Sequence, residues 1–151
     1  MLSKRAKYGL RALVYLARHQ GEGPIQIRDI AETLKIPRKF LEAILLDLRN
    51  EGMLRSRQGK EGGYTMERAP DTITIGKVIR FIDGPLAAVP CVSQTAYSRC
   101  DDCPDEKTCV IRCIMKEVRD ATAKILDETT LDQLVAREEQ LSRPPALEYQ
   151  I

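Results

Sequence analysis

Two short segments of helical apolar spacing, parted by Lys35-Ile36-Pro37, constrain this chain more than any other feature of its sequence. Ile27, Ile30, Ala31 and Leu34 form the stripe of the first segment. Leu41, Ile44, Leu45 and Leu48 form that of the second, which ends at Gly52. Proline tolerates a helix start but not a helix interior, so the two helices must meet across a tight break. The second opens on polar and basic residues, which is the helix-turn-helix pattern. Ala6, Leu10, Leu13, Val14 and Ala17 predict a preceding helix over 4–20, stopped by Gly21-Glu22-Gly23-Pro24. Met53–Arg57 and Tyr64–Met66 predict two short strands around the glycine-rich turn Gln58–Gly63, a hairpin with a basic tip. Thr74 then caps a helix from Ile75 to about Asp83, with Val78, Ile79 and Ile82 inward.

The pattern breaks from Gly84 to about Thr108, a stretch that holds Pro85, Pro90, Pro104 and three cysteines. It reads as a loop whose order depends on a ligand. Helical spacing returns at Cys109, with Ile111, Ile114, Met115, Val118, Ala121 and Ile125 in a long apolar stripe. Such a stripe on an appended helix buries itself against a partner. The division expected is a DNA-binding domain over 1–83, a cysteine-rich sensor loop over 84–108, a dimerisation helix over 109–130 and a C-terminal tail over 131–151.

Hydrophobic residues make up 43% and charged residues 30%, the balance of a folded, soluble chain. The apolar runs fall far short of the ~20 residues that span a bilayer. Lys7 and Arg11 interrupt the start before a signal-peptide core can form. No membrane partner and a cytoplasmic location are expected. Residues 1–68 hold 14 Lys and Arg against 8 Asp and Glu; residues 69–151 hold 10 against 14. The basic half suits a polyanion such as DNA, although a solvated surface would carry the same charge.

A recognition helix reads base edges through its N-terminal residues, here Arg38, Lys39, Phe40 and Glu42. A wing reaches the neighbouring minor groove, here with Arg55, Arg57, Gln58, Lys60 and Tyr64. Lys4 and Arg5 at the first helix start are placed for phosphate contacts. Double-stranded DNA is the expected partner.

Cys91, Cys100, Cys103, Cys109 and Cys113 all lie in one 23-residue window. An odd, clustered set in a cytosolic chain points to metal or redox chemistry. Thiolates are soft ligands for iron–sulfur clusters, zinc and copper(I). Zinc is weakly signalled, because one Cys-x2-Cys pair stands without a second and His19 is the single histidine, on the first helix. Cys113, one turn beyond Cys109, is either a core residue or an extra ligand. Asp101, Asp102, Asp105 and Glu106 make the loop acidic and disfavour free thiolates. Enzyme chemistry is not indicated. There is no Ser-His-Asp set or phosphate loop, and the Cys-x2-Cys pair flanks two aspartates rather than opening a helix.

Tyr8-Gly9-Leu10-Arg11-Ala12-Leu13, Pro37-Arg38-Lys39-Phe40-Leu41-Glu42, Gly59-x2-Gly62-Gly63-Tyr64 and Ile82-Asp83-Gly84-Pro85-Leu86, with the clustered cysteines, resemble the Rrf2 family of bacterial winged-helix transcription regulators over about residues 1–126. The resemblance implies a homodimer whose long helices cross and whose two recognition helices and wings read a palindromic operator. It implies that many members hold a 2Fe–2S or 4Fe–4S cluster on three loop cysteines, and that cluster state controls DNA affinity. Others lack a cluster and respond to thiol oxidation or to a partner enzyme of cysteine synthesis. The three-cysteine pattern falls on Cys91, Cys103 and Cys109, with Cys100 extra. The fourth ligands used by some members are absent. The acidic residue before Tyr8 is Lys7, and the histidine three places after the last cysteine is Arg112. Cys100 or Cys113 would then complete an all-cysteine site. A wing arginine of the family falls on Gln58, with Arg57 beside it.

The fold expected is mainly α with a small β-hairpin wing: a winged helix-turn-helix plus a long C-terminal dimerisation helix. The function expected is a repressor whose DNA affinity is set by an iron–sulfur cluster, 2Fe–2S in preference to 4Fe–4S, that purified protein can lack. The alternatives are a cluster-free thiol-redox or partner-sensing regulator, and a winged-helix protein–protein adaptor.

Overall fold

The computed structural model describes residues 2–143. Ser3 caps helix α1 (Lys4–Arg18) by accepting from the Ala6 amide, and also bonds to Asp83 near the end of a later helix. α2 (Ile27–Leu34) ends on Lys35 in a left-handed conformation, φ 53°. This single residue turns the chain sharply enough for Ile36 to be buried and for Pro37 to open α3 (Arg38–Asn50). The Arg11 guanidinium of α1 donates to the Leu34 carbonyl at 2.6 Å, which gives a free carbonyl at the end of α2 a partner. Leu41, Ile44, Leu45 and Leu48 of α3 are buried against Leu13 and Leu16 of α1 and Ile30 of α2 in one core. The helix-turn-helix expected from the sequence is therefore present. The first helix ends at Arg18 rather than at residue 20.

Strands β1 (Leu54–Arg57) and β2 (Gly63–Met66) pair antiparallel, with Ser56 opposite Tyr64. Ile25 joins them through two backbone bonds with Tyr64, of 3.0 and 2.9 Å. This third segment ties the wing to the start of α2. A side chain at Gly63 would stand 2.2 Å from the Ile25 carbonyl oxygen, and Gly63 has φ 149°, so only glycine fits here. Thr74 caps α4 (Ile75–Asp83) as expected, accepting from the Lys77 amide at 3.2 Å. The result is a winged helix-turn-helix, mostly helical with one small hairpin.

From α4 the chain runs through the cysteine segment to α5 (Val110–Glu128), none of whose residues is buried. α5 is tied back at its far end. Arg80 of α4 grips Asp127 through two bonds of 2.6 and 2.9 Å, over Gly76, where a side chain would stand 2.0 Å from the Asp127 carboxylate. Among the described residues no helix is long and apolar enough to cross a membrane.

The expected tail over 131–151 is corrected in its first half. Residues 131–142 form helix α6 (Leu131–Ser142), with Thr130 and Gln133 in a reciprocal capping box. The Ile75 amide donates to Thr129 and the Leu131 amide to Ile73, both at 2.9 Å, which returns the chain to the winged helix-turn-helix. Leu131 is fully buried, and Leu134 and Val135 pack against the same core. Residues 144–151, the remainder of that tail, lie outside the described residues.

Two outcomes test this arrangement. Leu131→Ala should cost about 2–5 kcal/mol, the range for an aliphatic side chain removed from a packed core; a tail residue would cost nothing measurable in a denaturant melt. The hydrogen bond and charge of Arg80 hold the Asp127 carboxyl below the usual carboxylate range. Its folded value therefore lies below the unfolded one of about 3.9. The pair's contribution is full above that value and is lost as pH falls through the lower one. Asp127→Asn should lower the thermal midpoint at pH 7 by about 2–4 °C, the equivalent of roughly 1 kcal/mol for a solvent-screened pair. Melts of both proteins at pH 7 and pH 3 should show that difference narrowing in acid.

Candidate functional site

Two surfaces carry chemistry. The first is a groove of about 560 Å³ between the start of α2, the outer face of α3 and the wing. Arg28, Arg38, Arg49, Arg57 and Lys60 line it, together with Gln26, whose amide donates to the Lys60 carbonyl at 2.8 Å and fixes the wing tip. Five cationic side chains around one groove give it a positive field of the kind that suits a polyanion. Arg38 is exposed and bonds Glu42 one turn on, at 2.9 Å, so Glu42 orients that guanidinium. Lys39 and Gln58 are exposed at the same end of the domain. Arg28 and Arg49 were not among the expected contacts. Arg49 follows Arg38 by eleven residues, three helical turns, and so shares its face. Arg28 lies in the first turn of α2, the helix that precedes α3.

Several expected DNA contacts are otherwise engaged. Tyr64 is only 8% exposed and belongs to the core, because strand alternation turns it inward from the wing. Arg5 is paired with Asp47 of α3, while Lys4 beside it is exposed. Arg55 forms two bonds with Glu67, of 2.5 and 2.9 Å, which raise its pKa and lower that of the carboxylate. Phe40 is exposed, but its ring meets Tyr8 of α1 edge-on at 5.7 Å.

The second surface is a cavity of about 420 Å³ at the start of α5, lined by Cys91, Cys100, Cys103 and Cys109. Cys113 is exposed on α5 and does not line it, so it is neither core nor part of this wall. Each cysteine reaches the cavity by a separate local device. Cys91, 6% exposed, sits in a 3-10 turn (Pro90–Val92) whose Val92 carbonyl accepts from Arg119 of α5 at 2.6 Å. That guanidinium is itself only 11% exposed. Cys109 is the N-cap of α5, and its sulfur accepts from the Arg112 amide at 3.4 Å. Cys100 and Cys103 flank a turn closed by the Cys103 amide on the Cys100 carbonyl, at 3.3 Å. Arg99 donates to the Cys103 carbonyl at 3.2 Å, and Tyr97 donates to Glu106 across the loop at 2.7 Å. The segment thus has internal bonding of its own, where the sequence suggested order only with a ligand.

The thiols perturb one another more than the acidic residues perturb them. Cys100 is pushed up first by its hydrogen bond to Cys91, with Asp102 the last contributor. Cys103 is pushed up first by burial and then by the charge of Cys109, while the Asp105 backbone opposes the shift. Arg112 lines the same cavity, and its Nε is buried with no hydrogen-bond partner among the described residues. A guanidinium has no lone pair for a metal, so Arg112 cannot replace a histidine ligand, but it can donate to an anion. Four soft donors and one unsatisfied cationic donor suit an anionic iron–sulfur group in number and in chemistry, but among the described residues no three Cys, His, Asp or Glu side chains stand close enough together to hold a metal ion.

Comparison with known proteins agrees with this architecture. Residues 2–137 match the family model described as Rrf2, iron-dependent transcriptional regulator. A protein of Rhodobacter capsulatus named as an rrf2-like HTH-type transcriptional regulator is 41% identical over 139 residues, covering 90% of this chain and 93% of its own. The solved structure of CymR, the global cysteine regulator of B. subtilis, superposes with a TM-score of 0.76 at 33% identity, covering 91% of this chain and 97% of that one. IscR of T. potens superposes at 0.75 with 27% identity, covering 95% and 92%. With a family model spanning most of its length and a relative this similar over nine-tenths of it, the chain belongs to the Rrf2 family of transcriptional regulators.

Proposed function

We propose that this regulator is a DNA-binding repressor that acts as a homodimer on a palindromic operator, with its affinity set by an iron–sulfur cluster at the cysteine cavity. One observation carries the sensing half of this reading: four thiols and an unpaired arginine donor line a single cavity at the root of α5. The family is that of iron-dependent transcriptional regulators, and CymR is a global cysteine regulator, so iron or sulfur supply is the class of signal that fits. Cys91, Cys100, Cys103 and Cys109 would hold the cluster, and Arg112 would meet its negative charge. When bound, the cluster supplies metal–thiolate bonds that draw these four side chains together.

The chain's own residues carry that change outward. Arg119 holds the turn bearing Cys91 to the middle of α5, and Cys109 begins the same helix. A change in the separation of these two cysteines therefore acts on α5 from two points. Arg80 and Asp127 link α5 to α4 and so to the DNA-binding domain. A ligand shifts such an equilibrium by as much as its affinities for the two arrangements differ.

The homodimer reading rests on Ile111, Ile114, Val118, Ala121 and Ile125. They are exposed and recur at alternating spacings of three and four, the repeat of a helix seam that packs against another helix. A second copy offers the same seam, and pairing two copies would set two recognition helices at a fixed separation.

Protein purified without oxygen should absorb in the visible region and contain iron and sulfide in stoichiometric amounts; a colourless, iron-free protein would remove the cluster and leave the DNA reading standing. Against a duplex selected from a random library, Arg38→Ala and Arg57→Ala should each weaken binding about 5- to 50-fold. Loss of a phosphate contact would also flatten the salt dependence. No affinity of the unaltered protein for any duplex at low salt would favour the adaptor reading. Ile114→Glu should convert a dimer to a monomer in sedimentation velocity, and an unchanged dimer would place the interface elsewhere.

A further inference from the structure

Helix α1 runs alongside the helix-turn-helix and meets it at three successive points. Arg5 pairs with Asp47, the Tyr8 ring meets Phe40 edge-on at 5.7 Å, and Arg11 donates to the Leu34 carbonyl at 2.6 Å. Phe40 and Asp47 lie on the flank of α3 opposite Arg38 and Arg49, which line the wing groove. Lys4, Lys7 and Arg11 recur at spacings of three and four, so they share the outward face of α1. Lys35 follows the carbonyl that Arg11 grips, and Lys39 precedes the ring that Tyr8 meets. All five of these cations are exposed, and among the described residues none is in an ion pair. Of the neighbouring carboxylates, Asp47 is taken by Arg5 and Glu42 by Arg38, while Glu32 is exposed. Lys35 carries a second mark. Among the described residues it alone, glycines apart, has a positive φ, 53°. Glycine takes that conformation at less cost, yet the turn between the two helices holds lysine. Strain kept at one residue points to a use for its side chain.

We propose that Lys4, Lys7, Arg11, Lys35 and Lys39 form a second phosphate track, which grips one DNA strand while the wing groove grips the other. A helix with its side chains is about 10–12 Å wide and the major groove about 12 Å, so a helix seated there lies between two phosphate walls. The cations of the wing groove meet the wall on one flank of α3, and the track meets the wall on the other. From Lys4 to Arg11 the helix rises about 10 Å, the rise of roughly three steps along one strand. Arg11 gives one donor to Leu34 and keeps others for a phosphate oxygen. Duplex DNA suits this track better than an acidic protein surface, because the track is continuous with α3 through Lys39. The proposal rests on the DNA-binding reading and adds to it a grip on both strands that reads no base.

The test uses the full chain, a duplex selected from a random library and an unrelated duplex, with affinities measured between about 50 and 200 mM salt. Lys7→Gln combined with Lys35→Gln should lower the slope of log affinity against log salt by about 2, and weaken binding roughly 10- to 60-fold at about 0.1 M salt. The loss should be the same factor on both duplexes, with the melting temperature unchanged. Lys7→Arg combined with Lys35→Arg should keep the slope. Removing two exposed cations elsewhere, by Lys116→Gln and Arg137→Gln, should leave both slope and affinity as they were. Phosphate ethylation of the selected duplex should interfere on both walls of the groove for the unaltered protein, and on one wall for the Lys7→Gln, Lys35→Gln protein. An unchanged slope in that protein, an equal loss in the Lys116→Gln, Arg137→Gln protein, or a loss confined to the selected duplex would overturn the proposal. If the unaltered protein binds no duplex, the DNA reading and the track fall together. If it binds and needs Arg57 but not Lys7 and Lys35, the track alone falls.

Discussion

Two backbone bonds between residues 73–75 and 129–131 hold the second half of this protein to the first. They form where the chain leaves α5, and they seat Leu131 in the core of the winged helix-turn-helix. Without them α5 would be joined to that domain mainly by the cysteine segment and by the Arg80–Asp127 pair. With them, the far end of α5 is fixed and its near end carries Cys109. The cavity thus forms at the end of the helix that is not seated in the core.

Much of the winged helix-turn-helix is legible in the sequence because its signals are local. The break at Lys35-Ile36-Pro37, the apolar spacing on each side and the glycine-rich hairpin each determine structure within a few residues of themselves. Helix α6 is harder to see. Its inward stripe is three residues long, Leu131, Leu134 and Val135, and the groups that receive it lie in α1 and around residues 70–73, from some sixty to more than a hundred residues earlier. One local sign was present, Thr130 three residues before Gln133, the spacing of a capping box. Tyr64 is misplaced for another reason. Beside two glycines on a basic wing it resembles a DNA contact, yet it shares a strand face with Met66, and that face turns inward.

The candidate sites divide along the same line. Arg38, Arg57 and Lys60 are placed by the elements that carry them, and the groove gathers them together. Arg5 depends on Asp47, forty-two residues away, which no local pattern reveals. The convergence of four cysteines follows from their count and crowding in the sequence. The local geometry of each does not, because it depends on the path of an irregular loop directed by Arg99, Arg119 and Tyr97.

Cys109 has two tasks at one atom: its sulfur caps α5 and also forms part of the cavity wall. A metal-bound thiolate accepts an amide hydrogen bond more strongly than a neutral thiol does, and negative charge is favoured at a helix start. Val110 and Ile111 in that turn are exposed and offer little packing to hold it. Charge gained at this one atom would therefore firm the beginning of a rod that little else secures.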